Sequence, residues 1–204
     1  MAYTPAQKDE TRRQIAEVCA QQIRDKGLAA VSARTVAGEM ERAQSWLYKL
    51  FPDFDHVVLA ANAITLAELD QRLSATAEAH LHHDVAERFL ALAMSYLQFS
   101  QDEPRRWAAL FEHQMQQGRD LPLEHKQEHY ILFRHVEAPL AKIMPNADRS
   151  LIHATARTIY SAVHGVVSLS LQGRLDRVPL DMLEKQLRML TSAFAEGYAR
   201  LPDA

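Results

Sequence analysis

Apolar side chains recur at steps of three and four along almost the whole chain, and the strict alternation of a half-buried strand is scarce. The pattern predicts an all-α protein of about nine helices. The first runs from Pro5 or Gln7 to Lys26. Ile15, Val18, Cys19 and Ile23 form its apolar side, Pro5 suits the first turn and Gly27 the stop. Ser32 is placed to cap a short helix reaching about Met40, since a serine hydroxyl accepts from the unpaired N–H groups of a first turn. A junction at Glu41–Arg42 leads to a second short helix ending near Tyr48. Pro52 and Asp53 break the chain and restart it as a long helix to Ala79, whose stripe is Val57, Val58, Ala61, Ile64, Leu66, Leu69 and Leu73.

Further along, "HLHHD" (residues 80–84) punctuates the pattern and Asp84 opens a helix with Phe89, Leu92, Ala93, Tyr96 and Leu97 inward. Pro104 begins a segment bearing Trp107, Leu110, Phe111 and Met115 that stops at Gly118. "DLPLE" opens a helix to about Met144, interrupted or kinked at Pro139, where a backbone N–H is missing. Two long helices, at about 148–172 and 180–200, close the chain. In the last, Leu180, Leu183, Leu187, Leu190, Phe194 and Leu201 follow steps of three and four, which suits lengthwise packing on another helix. The helix before it carries small residues (Ala154, Ser161, Ala162, Gly165, Ser168) that permit close approach. The layout is three helices, one long connecting helix and a five-helix body, with a domain boundary expected near residues 55–56: 1–55 and 56–204.

Composition narrows the function. In 204 residues, a 48% apolar share and 24% charged residues describe a globular chain. One cysteine excludes an internal disulfide framework and fits a reducing cytoplasm. The start "MAYTPAQKDETRRQ" is polar, and "TIYSAVHGVVSLSLQG", the most apolar window, is shorter than the roughly 18 residues a bilayer demands. A soluble cytoplasmic protein without a membrane partner is expected. Residues 1–56 hold eight Lys/Arg against eight Asp/Glu, leaving 15 against 18 for the rest within a net charge of −3, so any polyanion is expected at the N-terminal part. No phosphate-cradling glycine loop and no G-x-S-x-G elbow is present, so no enzyme is expected. The histidines of "HLHHD" and "EHKQEH" lack the H-E-x-x-H arrangement, and neither metal nor cofactor is expected.

The stretch "ARTVAGEMERAQSWLYKLFPDFDHVV" (residues 33–58) carries the main signal. With Ser32 it resembles the signature of the TetR/AcrR family of bacterial transcriptional regulators, approximately T-x-x-x-I-A-x-x-A-G-V-S-x-x-x-L-Y-x-x-F-x-x-K-x-x-L. Ser32 takes the threonine's place, Val36-Ala37 the Ile-Ala places, and Leu47, Tyr48 and Phe51 match directly, with Val57 at the final apolar place. Met40-Glu41-Arg42-Ala43 replaces A-G-V-S, so the turn glycine and the cap serine are absent, and Phe54 stands where the family has lysine. A left-handed Glu41 would cost about 1 kcal/mol. Downstream, Tyr160 and His164-Gly165 are similar to the C-terminal subgroup marked by a tryptophan followed by His-Gly.

The resemblance implies a helix-turn-helix head on a ligand-binding and dimerisation body: a ligand-responsive homodimeric repressor of a palindromic double-stranded DNA operator, answering an unknown small-molecule effector. Gln44, Ser45 and Trp46 should face outward, where glutamine can read adenine and tryptophan can meet a thymine methyl or the backbone. Ser32, Tyr48 and Lys49 are expected phosphate contacts by resemblance, and Arg34 and Arg42 by charge. Trp107, Phe111, Met115 and His164 are the expected ligand-pocket lining, because a pocket needs apolar walls with a few polar groups. Ile159, Val163, Val166, Leu183, Leu187, Leu190 and Phe194 are the expected dimer interface. The rival reading is a helical small-molecule-binding or adaptor protein that has lost operator binding, which the missing turn glycine keeps open.

Overall fold

The structure, a computed structural model, describes residues 3–171 and 178–200. These residues are all-helical, as the periodicity predicts. Ten α-helices run in order: α1 Pro5–Lys26, α2 Ala33–Glu39, α3 Gln44–Leu47, α4 Phe54–Ala79, α5 Val85–Asp102, α6 Pro104–Glu112, α7 Leu123–Tyr130, α8 Arg134–Ile143, α9 Arg149–Leu171 and α10 Leu180–Ala199. The one helix expected up to Met144 is two. The chain tightens into a 3-10 turn at Ile131–Phe133, where Leu132 and Phe133 both enter the core, while Pro139 sits buried within α8 without ending it. Leu201, the last member of the leucine pattern, lies outside the described residues.

The chain divides into two compact units: Met1–Leu69 with Phe99–Glu128, and Asp70–Gln98 with His129–Ala204. In the first, Ile15, Cys19 and Ile23 of α1 meet Val36 and Ala37 of α2, Leu47 of α3, Phe51 ahead of α4, Val57 and Val58 of α4, and Ala109 of α6. Burial pushes the Cys19 thiol up to about 12, so it is a packing group rather than a nucleophile. Phe54 packs half-buried against this core, which explains an apolar side chain where the family signature has lysine.

Caps mark the helix ends. Thr4 accepts from the Gln7 N–H and Gln7 reaches back to the Thr4 N–H, a closed capping box at α1. Gly27 ends α1 at φ 81°, a value β-carbon sterics disfavour in other residues. Ser32 accepts from the Thr35 N–H at the start of α2. Between α2 and α3 the Arg42 N–H donates to Ala37 O at 2.9 Å, and Glu41 adopts φ 55°, alone among the described non-glycine residues in the left-handed region. Ala43 opens α3 with no side-chain cap.

At α4 the N-cap is Asp53, whose Oδ1 accepts from the His56 N–H at 3.1 Å and lies 2.7 Å from His56 Nδ1. A strap from residues 116–119 closes over this end. Arg119 donates to Asp53 Oδ2 at 2.8 Å and to the buried Asp55 at 3.1 Å, and the Gln116 N–H donates to Asp55 at 2.9 Å. Behind it, α6 is tied to α1 by Arg24–Glu103 and to α4 by the buried Arg106, which reaches Thr65 Oγ1 at 3.2 Å and Glu68 Oε2 at 2.7 Å. In the second unit, Phe89, Val136, Leu140, Ile152, Ala156, Ile159 and Ala195 build the core, with His135 Nε2 2.7 Å from Asp70 Oδ1 at its edge.

Two expectations come from these helix ends. Ala43→Ser supplies the missing α3 cap and should raise stability by about 0.5–1 kcal/mol, read as a higher urea midpoint at unchanged slope. Burial raises the Asp53 pKa, but hydrogen bonds from the His56 ring, Arg119 and the His56 N–H outweigh it and hold the carboxyl at about 2. In an unfolded chain it titrates near 3.9. Its contribution is therefore present above pH ~4 and lost as pH falls toward ~2. Urea midpoints across that range should show a flatter pH dependence for Asp53→Asn than for the unaltered chain.

Candidate nucleic-acid interface and ligand cavity

Helix α3 is a single turn, and its position is set from beneath. Leu47 is 0% exposed and packs among Val36, Ala37 and Phe51. The Leu50 and Phe51 N–H groups both donate to Leu47 O at 2.9 Å, extending the turn past the helix end. From the α1 side, Gln22 is buried and its amide donates to Thr35 O at 3.1 Å and to Glu39, fixing α2 on α1. With the inner side chain locked, the direction of the outer ones follows from helical geometry.

Those outer side chains are the ones the sequence nominates. Ser32, Arg34, Arg42, Gln44, Ser45, Tyr48 and Lys49 are all exposed. Gln44 Nε2 donates to Tyr48 Oη at 3.2 Å, one turn along. Trp46 is half-buried rather than free: its indole N–H donates to Tyr3 Oη at 3.0 Å, and the Arg42 guanidinium lies 5.8 Å from its ring centroid. Tyr3, Gln7, Glu10 and Gln14 face Trp46, Arg42 and Lys49 across a broad open groove of about 1040 Å³. Sequence reasoning misses Tyr3, because only the fold brings a residue ahead of α1 to a side chain 43 positions later.

In the second unit a cavity of about 30 Å³ lies among Leu73, Phe89, Leu92, Leu132, Ile159 and Val163, with Tyr96, His135 and Tyr160 also in its almost wholly apolar lining. Tyr96 Oη is 2.8 Å from His164 Nδ1, and the Tyr160 hydroxyl donates to Tyr96 Oη at 3.5 Å. The rings of Tyr96 and Tyr160 meet edge to face at 5.5 Å. Burial pushes the Tyr160 phenol up to about 12, and burial lowers the His164 pKa.

Of the expected ligand-pocket residues, His164 reaches this cavity's polar edge through Tyr96. Trp107, Phe111 and Met115 do not line it. They belong to the first unit, where Trp107 and Met115 are buried and Trp107 meets Phe111 edge to face at 5.4 Å. Tyr96, His135 and Tyr160 are the polar residues that the choice by type passed over, although "IYSAVHG" holds Tyr160 in view.

The residues expected at a dimer interface also divide. Ile159 and Val163 line the cavity, and Leu183 and Leu187 are 1% and 0% exposed within their own protomer, so these four hold the helices together from inside. Val166, Leu190 and Phe194 remain half-buried, Phe194 packing on the second core. The outward large apolar groups of α9 and α10 are Leu151, Leu169, Leu171, Leu180, Met182 and Met189, the last 72% exposed. Among the described residues no three His, Cys, Asp or Glu side chains converge to hold a metal ion, and no helix is long and apolar enough to cross a membrane.

Comparison with known proteins agrees with this architecture. The family described as the tetracyclin repressor-like C-terminal domain matches residues 89–194, about half of the chain. No curated protein matches the sequence. Solved structures share the fold. A protein of unknown function from Rhodococcus sp. RHA1 superposes with TM-score 0.71 at 18% identity, covering 93% of this chain and 95% of its own. A TetR-family transcriptional regulator from Streptomyces coelicolor gives 0.67 at 19%, covering 93% and 82%. A TetR transcriptional regulator from Rhodococcus sp. RHA1 gives 0.60 at 14%, covering 91% and 97%. With the family match spanning half the chain and the fold shared with regulators along nearly all of it, this protein belongs to the TetR family of transcriptional regulators.

Proposed function

We propose that the protein is a ligand-responsive repressor that binds a palindromic operator as a homodimer. The carrying observation is α3: Leu47 is sealed inward while Gln44, Ser45, Tyr48 and Lys49 stand outward beside Arg42 and a tethered Trp46. That surface mixes a bidentate amide, hydroxyls and cations, the chemistry that reads base edges and grips phosphates in a major groove. Gln44 and Ser45 read bases. Ser32, Arg34, Arg42, Tyr48 and Lys49 position the head on phosphates, and Trp46 packs on the sugar–phosphate edge.

A second copy is the partner of α9 and α10. Leu169, Leu180, Met182 and Met189 leave apolar surface outward on these helices, and the small Ala154, Ser161, Ala162 and Gly165 allow close packing against them. Two heads related by a two-fold axis match a palindrome whose half-sites lie about one helical turn apart. A small molecule in the cavity of the second unit favours a conformation whose head spacing no longer fits the DNA, so occupancy and operator binding oppose each other.

Selection of bound duplexes from a random pool tests the reading directly; an absence of any enriched palindrome at low salt would overturn it. On the selected operator, Gln44→Ala should cost about 1–3 kcal/mol and relax preference at one base position per half-site. Lys49→Ala should weaken all sequences alike and lower the salt slope by about 1. For assembly, Met189→Glu with Leu180→Glu should yield folded monomers by sedimentation and lose operator binding. Leu187→Glu should instead unfold the protomer, because it places a charge in a site with no exposure.

A further inference from the structure

We infer that the cavity of the second unit takes an uncharged, largely hydrocarbon molecule carrying one oxygen acceptor, with its oxygen on the Tyr160 hydroxyl. This rests on the reading of the chain as a ligand-responsive regulator and names the chemistry of its effector.

Three features of the cavity select that class. Its walls are hydrocarbon, from Leu73, Phe89, Leu92, Leu132, Ile159 and Val163, so favourable burial comes from apolar surface. No lysine, arginine, aspartate or glutamate lines it. The imidazole that does, His135, has its Nε2 2.7 Å from Asp70 Oδ1, and the other Asp70 oxygen accepts from Arg134 at 2.6 Å. A carboxylate entering here would shed its hydration against no cation, and an ammonium against no anion; isolated charges lose several kcal/mol in such surroundings.

The third feature is the Tyr160 proton. Its acceptor is Tyr96 Oη at 3.5 Å, well beyond the 2.5–3.0 Å of a good O–H···O bond, while Tyr96 Oη itself sits 2.8 Å from His164 Nδ1. Tyr160 therefore donates through a stretched bond that a better-placed carbonyl would replace. Because burial keeps the phenol protonated throughout the neutral range, the group always has a proton to offer an acceptor.

Size completes the picture. About 30 Å³ holds roughly two water molecules and is smaller than a six-membered ring. A molecule larger than that enters only if lining side chains from α5, α8 and α9 give way, and this links occupancy to a change in helix packing. Close-packed interiors have discrete alternatives of this kind rather than gradual ones.

The test uses the full-length protein and four probes of one shape: cyclohexanone, methylenecyclohexane, cyclohexanecarboxylate and cyclohexylammonium, with affinities from saturation-transfer NMR and release of the selected operator as a second readout. Cyclohexanone should bind best, with both ions at least tenfold weaker. Tyr160→Phe should weaken cyclohexanone about fivefold and leave methylenecyclohexane unchanged, the signature of one lost hydrogen bond. Val163→Leu, which fills the space from α9, should weaken both neutral probes together. Preference for either ion, equal loss of both neutral probes in Tyr160→Phe, or no binding of cyclohexanone would each overturn the inference. A carboxylate that binds and releases DNA would sink this ligand class while leaving the ligand-responsive reading intact; an empty operator selection sinks that reading itself.

Discussion

A helix of four residues has no stability of its own, since nucleation costs more than one turn of hydrogen bonds returns. Helix α3 exists because Leu47 is drawn into the crossing of α1 and α2, between Val36, Ala37 and Phe51. That one buried side chain sets the rotation of the turn, and the rotation decides which groups face outward. The proposed recognition surface is thus a by-product of packing. Tyr3 and Arg42 then restrain Trp46 from outside, so its ring is held at the N–H edge and over its face.

The turn itself shows how a departure from a family signature is absorbed. Glu41 takes the left-handed conformation that glycine would adopt without strain, and Ala43 leaves the first N–H groups of α3 without a side-chain acceptor. Both are local costs of the order of 1 kcal/mol. A core with Leu47, Phe51 and Ile23 each at most 2% exposed outweighs them. Backbone geometry is retained while the residue types that usually provide it are not.

Local features were legible in the sequence, and long-range ones were less so. Pro5, Gly27, Ser32 and Asp53 act through neighbours within four residues, and each stands where its chemistry suggests. The head was readable because its spacing from Ser32 to Phe51 is rigid. The cavity was not, because aromatic type says nothing about which unit a side chain joins: Trp107 and Met115 pack into the first unit, and Tyr96, His135 and Tyr160 converge in the second only after α5, α8 and α9 have folded together. The leucine spacing of α10 is ambiguous for a similar reason. A 3.5-residue stripe announces a helix partner, but it cannot say whether that partner is in the same chain. Leu183 and Leu187 found theirs inside the protomer, and the exposed Met182 and Met189 lie off the stripe.

The return of residues 99–128 to the first unit bears on modularity. Ala109 of α6 lies in the same core as Leu47, its carbonyl accepts from the buried Asn62 amide at 3.2 Å, and Arg119 covers the start of α4. The helix-turn-helix is therefore completed by chain far downstream, and a single cut after α3 would remove part of its foundation. Recombination that swapped only the opening helices between relatives would have to preserve the fit to α6 as well, so the two stretches are constrained to change together.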